Sequence, residues 1–273
     1  MAEYWPFSLA RQGLLKERLI VELDHGPRHE ALAMVEHLSS SVGMFKVGKH
    51  LFMHSGPDVI REIRRRGGEV FLDLKFHDAP RFVSRAAIEA TRLGVKMFDL
   101  HPGYSTAGYG TAMMERTRLE VNKLCQCEGL RRPYIVAITM LTSLGAVDRT
   151  CRPECLTAGD QIAALARLAA DASLDGVVTS PSQVSRVRAA CGRRVMIVTF
   201  AVSTEDGWRE QPACIGPAQA VRSGADYLVV GKPVWKAADP LRTVREVLRE
   251  MDRGVRSAQR GSLALFSERP SIN

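Results

Sequence analysis

The chain has 273 residues, of which 45% are hydrophobic and 25% charged, and it carries a formal net charge of +8. That is ordinary globular composition, long enough for one large core, and α/β barrels of this size are common. No apolar run reaches the roughly 18–20 residues of a membrane span, and Glu3, Arg11 and Lys16 interrupt the N-terminal segment, so neither a transmembrane helix nor a secretory signal is expected and a cytoplasmic protein is.

Eight short β-rich runs follow in chain order. They are "RLIVELD" (18–24), "MFKVG" (44–48), "EVFLDLK" (69–75), "VKMFDLH" (95–101), "YIVAITM" (134–140), "DGVVTS" (175–180), "RVMIVTF" (194–200) and "DYLVVG" (226–231). Between them lie segments such as "PRHEALAMVEHL", "PDVIREIRRRG", "FVSRAAIEATRLG", "GDQIAALARLAADA", "PSQVSRVRAAC" and "GPAQAVRSG", whose apolar spacing of three and four is helical. Alternating strand and helix implies right-handed crossovers and a parallel sheet. Strands this continuously hydrophobic are covered on both faces, and eight units predict a closed (β/α)8 TIM barrel rather than an open doubly wound sheet. The predicted organisation is an N-terminal extension over 1–17, a barrel domain over 18–252 and a C-terminal tail over 253–273. The tail shows little helical period and is expected to be a surface extension.

In such a barrel, chemistry gathers where the strands end. The first strand ends in Asp24, the second carries Lys46, and the third runs into Asp73, Lys75 and Asp78. The fourth carries Asp99 and His101, the fifth leads to Thr142 and Ser143, and the eighth ends in Gly231 and Lys232. Asp73 and Lys75 are two apart, which places them on one face of a strand. Lys46 belongs to the neighbouring strand if sequential strands pair. Charged groups are costly to bury unless they pair or react, so an alternating array of Lys46, Lys75, Asp73 and Asp78 at strand ends points to a site. A small residue before a basic one, as in Gly231–Lys232, allows a phosphate to approach backbone N–H groups, and the last loops of barrels often hold phosphate.

Other residues carry weaker signals. The arginines Arg61, Arg64, Arg65, Arg66, Arg186 and Arg188 are scattered over helix faces without interleaved aromatics, which reads as a solvated basic surface rather than a nucleic-acid interface. Six cysteines in a chain this long do not make a disulfide framework. Cys125, Cys127, Cys151 and Cys155 lack the spacing of a zinc knuckle and fall in what reads as a loop and a helix approach, so free thiols are expected. His77 is expected to turn from the Asp73/Lys75 face and serve packing or a subunit contact. Ser143 has no evident histidine partner and reads as a loop hydrogen-bonder.

The segments "VELD" (21–24), "FKVGKHLF" (45–52), "DLKFHDAP" (73–80), "AITMLTSL" (137–144), "LDGVVTSP" (174–181) and "GADYLVVGKP" (224–233) resemble, in order and spacing, the orotidine 5′-phosphate decarboxylase family across residues 18–252. The D-x-K-x-x-D core is shared with sugar-phosphate relatives such as hexulose-phosphate synthases. The histidine before its second aspartate, the lysine of "KVG" and the "LTS" segment favour the decarboxylase branch. The resemblance implies a homodimeric enzyme acting on a phosphorylated nucleotide without metal or organic cofactor. It implies Lys75 as the acid that protonates C6 of the pyrimidine, and Asp73 as the group facing the substrate carboxylate. Asp78 would reach the active site of the other subunit. Lys46 and Asp24 would hold ribose hydroxyls, Thr142 would contact the pyrimidine, and Gln211 with Gly231–Lys232 would lie toward the phosphate.

The chain departs from the family pattern at the binding end. Where the family continues D-I-P-N-T, this chain has Asp78-Ala79-Pro80-Arg81-Phe82, exchanging a small hydroxyl for an aromatic ring. The seventh strand ends in Thr199-Phe200-Ala201-Val202-Ser203 instead of T-P-G-I-R, so the phosphate-holding arginine is absent there; Arg209 is a candidate replacement. Lys232 stands where the family has arginine, a point charge in place of a bidentate fork. These changes leave two alternatives open beside the decarboxylase: a Mg²⁺-dependent lyase or aldolase acting on another phosphorylated metabolite, and a non-catalytic barrel that binds an anionic ligand.

Overall fold

A computed structural model describes residues 15–103, 109–139, 158–200 and 215–267. Eight parallel strands close into a barrel in strict sequence order: β1 (Leu19–Glu22), β2 (Met44–Gly48), β3 (Val70–Phe76), β4 (Met97–Leu100), β5 (Tyr134–Ile138), β6 (Gly176–Thr179), β7 (Met196–Thr199) and β8 (Tyr227–Val230). The pairing Leu19↔Leu228 and Ile20↔Val229 joins β1 to β8 and completes the ring. Every run read from the sequence as a strand is one.

Among the described residues ten α-helices surround it: α1 (Arg28–Leu38), α2 (Lys49–Ser55), α3 (Asp58–Arg65), α4 (Pro80–Arg92), α5 (Tyr109–Glu128), α6 (Ala158–Asp171), α7 (Val184–Cys191), α8 (Pro217–Arg222), α9 (Lys232–Trp235) and α10 (Pro240–Ser267). Alternation along each strand divides the apolar residues into two sets. One set fills the bore: Ile20, Met44, Phe71, Met97, Val136, Ile138, Val178, Met196, Val198, Tyr227 and Val229, drawn from all eight strands. The larger set, including Val21, Phe45, Leu72, Phe98, Ile135, Val177, Ile197 and Leu228, packs outward against the helices.

Charges at the N-terminal ends of the strands fasten neighbours together. Asp226 accepts the Ile197 N–H at 2.7 Å and the Arg188 guanidinium at 2.5 Å. Asp175 does the same one step earlier, with the Ile135 N–H at 2.7 Å and Arg132 at 2.8 Å. Arg18 donates to the carbonyls of Asp226 and Ala225 at 2.7 and 2.9 Å, tying the start of β1 to that of β8. Arg188 is therefore a strand clamp and not part of the solvated basic surface expected for it. Arg61 and Arg186 do sit at the surface, in exposed pairs with Asp58 and Asp160. Exposed pairs of this kind contribute little to stability.

Two readings of the sequence are corrected. Cys125 and Cys127 lie inside α5 and not in a loop, and at about 100° per residue the two point to different sides of the helix. The tail is helical: α10 crosses position 252 without a break and runs to Ser267, burying Met251 and Val255. Its arginines and small residues hid the period. Gly254 is what permits the seating, because a Cβ there would come within 2.5 Å of the Ala218 carbonyl oxygen on α8.

Gly254→Leu is accordingly expected to overpack the α8–α10 contact, costing about 1–3 kcal/mol. Thermal unfolding should show a melting temperature several degrees lower. An unchanged melting temperature would mean that α10 is not held against α8 as described.

Candidate active site

Four consecutive strands share one pattern: an apolar bore residue, then, two positions on, an ionisable one. Ile20 is followed by Glu22, Met44 by Lys46, Phe71 by Asp73 and Met97 by Asp99. With a side-chain period of two, each charged group stands one layer above the apolar filling, on the inner face at the C-terminal end of the barrel. The equivalent positions on β7 and β8 are Phe200 and Gly231. The mouth is charged on one side and apolar or open on the other.

Lys46 is the hub. It is only 8% exposed, and its Nζ lies 2.8 Å from Glu22 Oε1, 2.9 Å from Asp73 Oδ2 and 3.2 Å from Asp24 Oδ2. Burial alone would favour the neutral amine, but Asp73, Glu22 and Asp24 outweigh it and raise the pKa above that of a free lysine. Asp24 also accepts the N–H of Gly48 at 2.7 Å and of Leu51 at 3.3 Å, so it fixes the turn from β2 into α2. Gly48 is needed for this approach, since a Cβ would lie 2.5 Å from Asp24 Oδ2.

Asp73 bridges the two lysines. Oδ2 faces Lys46, and Oδ1 accepts a hydrogen bond from Lys75 Nζ. Burial would raise its pKa, but Lys46, a hydrogen bond from Asp99 and Lys75 together hold the carboxyl well below the usual range. Asp73 and Lys75 meet as the sequence predicts, although not through a regular pleat. The β3–β4 register shifts between Leu72 and Phe76, and Lys75 sits inside this bulge with φ 54°, a left-handed conformation that costs a non-glycine residue on the order of 1 kcal/mol. Asp99 Oδ1 accepts the Lys75 N–H at 2.7 Å, which offsets part of that cost.

The remaining predicted residues are distributed as follows. Asp78 lies in the exposed loop before α4, and its Oδ1 accepts the Ala79 N–H at 2.6 Å, so within one chain it does not join the array. Phe82, on the first turn of α4, is exposed with the Arg81 guanidinium 4.6 Å above its ring. Gly231 caps α9 at the edge of the array, and a Cβ there would run into Glu22 and His25. Lys232 opens that helix. Thr142, Ser143, Ser203, Arg209 and Gln211 lie outside the described residues, as do Cys151 and Cys155. His77 is exposed, its ring 4.9 Å from that of His101. Among the described residues no group of three or more histidine, cysteine or carboxylate side chains is arranged to hold a metal ion.

Two members of the array were not assigned a part from the sequence. Asp99 was noted only as a strand-end residue, and Glu22 not at all, yet the period of two that places Asp73 places them both. Glu22 is pinned between Lys46 and His25 Nε2, the latter at 3.1 Å. Burial would raise its pKa, but the His25 and Lys46 contacts bring it down to about 2.

A carboxyl whose pKa is depressed on folding stabilises the folded state above its unfolded value, and that contribution is lost as pH falls through the folded value. For Glu22 the window runs from about 4.5 down to about 2. Glu22→Gln should therefore melt below wild type near neutral pH, with the gap narrowing once the pH drops below about 4.5. A gap that stays constant down to about pH 3 would contradict the ion-pair account.

Comparison with known proteins places this geometry. Residues 17–247 match the model of the family described as "Orotidine 5'-phosphate decarboxylase / HUMPS family". The chain is 40% identical over 242 residues to the orotidine 5'-phosphate decarboxylase of Geobacter metallireducens, covering 88% of this chain and 98% of that one. It is 41% identical over 242 residues to that of Geobacter sulfurreducens, with the same coverage. Among solved structures, orotidine 5'-phosphate decarboxylase from Lactobacillus acidophilus superposes with a TM-score of 0.71 at 28% identity, covering 85% of this chain and 98% of that one.

Proposed function

The chain belongs to the orotidine 5'-phosphate decarboxylase / HUMPS family, and from that premise we propose that it converts orotidine 5'-phosphate to uridine 5'-phosphate and carbon dioxide, a step of pyrimidine biosynthesis. The observation that carries this reading is the Lys46–Asp73–Lys75 line at the barrel mouth, buried at Lys46 and partly open at Lys75. Nothing in the comparisons favours the sugar-phosphate or purely binding alternatives, and the relatives matched over most of the chain are named as the decarboxylase.

The chemistry follows from charge placement. Losing carbon dioxide breaks one C–C bond heterolytically and leaves an electron pair on C6 of the pyrimidine. A fixed ammonium beside that carbon stabilises the developing negative charge before any proton moves. Lys75, held by Asp73, is the group in this site with the reach and the proton. It then transfers that proton to C6 as general acid, and the resulting neutral amine regains one from solvent. Asp73 fixes Lys75 on one side and presents its charge toward the departing carboxylate. Lys46 has its charge matched by three carboxylates, so it serves as a rigid anchor, presented with Asp24 to the ribose hydroxyls. Gly231 leaves space for the phosphate, and Lys232 supplies a compact charge there. Binding at that remote end contributes energy that organises the reacting end. The reading needs no metal or organic cofactor. Thr142 and Gln211 keep the pyrimidine and phosphate roles that the family pattern gives them. A highly charged nucleotide substrate that does not cross membranes unaided fits a cytoplasmic enzyme.

Among the described residues Lys75 has one salt-bridged carboxylate, Asp73, and the family pattern calls for two. The second, in this reading, is Asp78 supplied by the other subunit of a homodimer whose barrel mouths face each other. Its position in an exposed loop supports this, as do the exposed apolar side chains of Met53 on α2 and Phe82 on α4, in segments that directly follow β2 and β3.

Subunit mixing tests both parts of the proposal. Lys75→Ala and Asp78→Ala should each lose nearly all decarboxylation of orotidine 5'-phosphate, followed by the fall in its ultraviolet absorbance. Unfolded together and refolded as a mixture, they should regain activity, because a mixed dimer carries one site with both residues intact. A mixture as inactive as its components would exclude the shared site. Near-normal turnover by Lys75→Ala alone would exclude the proton donor.

A further inference from the structure

Among the described carboxyls of the inner rim, Asp99 is the one that makes no salt bridge. It is 1% exposed, the most deeply buried of the ionisable groups in the site. Oδ1 is committed to the Lys75 N–H at 2.7 Å. Oδ2 is buried and no donor among the described residues reaches it, while Asp73 stands beside it on the neighbouring strand. Two ionised carboxylates side by side repel and cannot hydrogen-bond to each other, and a proton on one of them removes the repulsion and supplies the missing donor. Asp73 faces two ammonium groups, which favour its ionised form, so the proton belongs on Asp99.

We propose that Asp99 is a positioning residue held as a neutral carboxylic acid, which donates its proton to Asp73 while its carbonyl oxygen grips the Lys75 backbone. The charged groups facing it are Asp73 and Lys75 from β3, with Lys46 behind Asp73. Burial, then the Asp73 charge and the hydrogen bond to it, raise the Asp99 pKa, in the direction the geometry requires.

The role has a physical purpose. Lys75 occupies a left-handed conformation inside a bulge, a site where a lysine backbone does not rest unaided. The bond from its N–H to Asp99 replaces the ladder bond that the bulge removes. The second bond, from Asp99 to Asp73, fixes the carboxylate that orients the Lys75 ammonium. One neutral side chain therefore sets both ends of the lysine, backbone and Nζ, without adding a negative charge that would compete with a developing carbanion. An ionised Asp99 would weaken the array by repelling Asp73 and drawing the ammonium away from the substrate.

The kinetic test rests on the decarboxylase reading; the spectroscopic test does not. Asp99→Asn preserves the shape, an acceptor for the Lys75 N–H and a donor for Asp73, so its kcat should stay within about threefold of wild type. Asp99→Ala removes both bonds, and loosening the proton donor should lower kcat on the order of 100-fold while KM moves much less. Asp99→Leu, which refills the volume, should resemble Asp99→Ala and so separate bond loss from cavity formation. Infrared difference spectra of wild type against Asp99→Asn at neutral pH should contain the carbonyl stretch of a protonated carboxylic acid. Asp99→Asn falling as far as Asp99→Ala would overturn the proposal, because a carboxylate charge would then be required. Absence of the protonated-acid band would overturn it equally. If the wild type fails to decarboxylate orotidine 5'-phosphate, the functional reading falls, and the infrared band still decides the protonation of Asp99.

Discussion

Lys46 is an ammonium group placed at the top of a packed bore, with three carboxylates within 3.2 Å of its Nζ. Taking an ion out of water costs several kcal/mol unless opposite charge and hydrogen bonds replace the solvent. The rest of the site is arranged around that requirement. Glu22 and Asp24 come from the first strand and the turn after it, and Asp73 from the third. The two flanking strands can reach the middle one only because the barrel pairs them in sequence order. Asp73 then has its other oxygen available for Lys75. The ammonium proposed to act on substrate is oriented by one that is electrically satisfied already.

The two ends of the barrel use charge differently. At the N-terminal end, Asp175 and Asp226 each combine an arginine with the N–H of a neighbouring strand, so their charges are consumed in joining elements. At the C-terminal end, the carboxylates contact lysines, and the Lys75 ammonium remains partly open to the mouth. Buried threonines carry the opposite side of the rim. Thr139 donates to the Val178 carbonyl at 3.0 Å, and Thr199 donates to the Thr179 carbonyl at 2.9 Å, closing β5, β6 and β7 without charge. That leaves the mouth polarised, with the array on β1–β4, Gly231 beside its Glu22 edge and Phe200 beyond on β7.

Much of this was legible in the sequence because it follows from periodicity. Continuous apolar runs between amphipathic segments identify all eight strands, and their ends identify Asp24, Lys46, Asp73 and Lys75. What escaped has specific causes. The bulge at Lys75 arises from the pairing of β3 with β4, and no local pattern in "FLDLKFHD" encodes a left-handed lysine. Glu22 looks like an ordinary polar position on a strand until the bore is known to lie beneath it. Asp99 sits between Phe98 and Leu100 in a strand that reads as apolar, and its partners come from another strand. The helix over 253–267 was obscured because arginines and small residues dominate its composition, and of residues 253–259 only Gly254 and Val255 are buried. Asp78 stands close to the array in spacing, but within its own chain its loop turns outward to bond the Ala79 N–H, and spacing alone does not distinguish a partner in the same subunit from one in another.

The central claim is that fixed charges alone suffice for the chemistry: an ammonium aimed at the carbon that loses its carboxylate. The most direct measurement is a stoichiometric one on the purified wild-type protein in EDTA-treated buffer with orotidine 5'-phosphate as substrate. The account predicts uridine 5'-phosphate and carbon dioxide in equal amounts, with turnover insensitive to the chelator. No product, or product formed only when Mg²⁺ is restored, would contradict it.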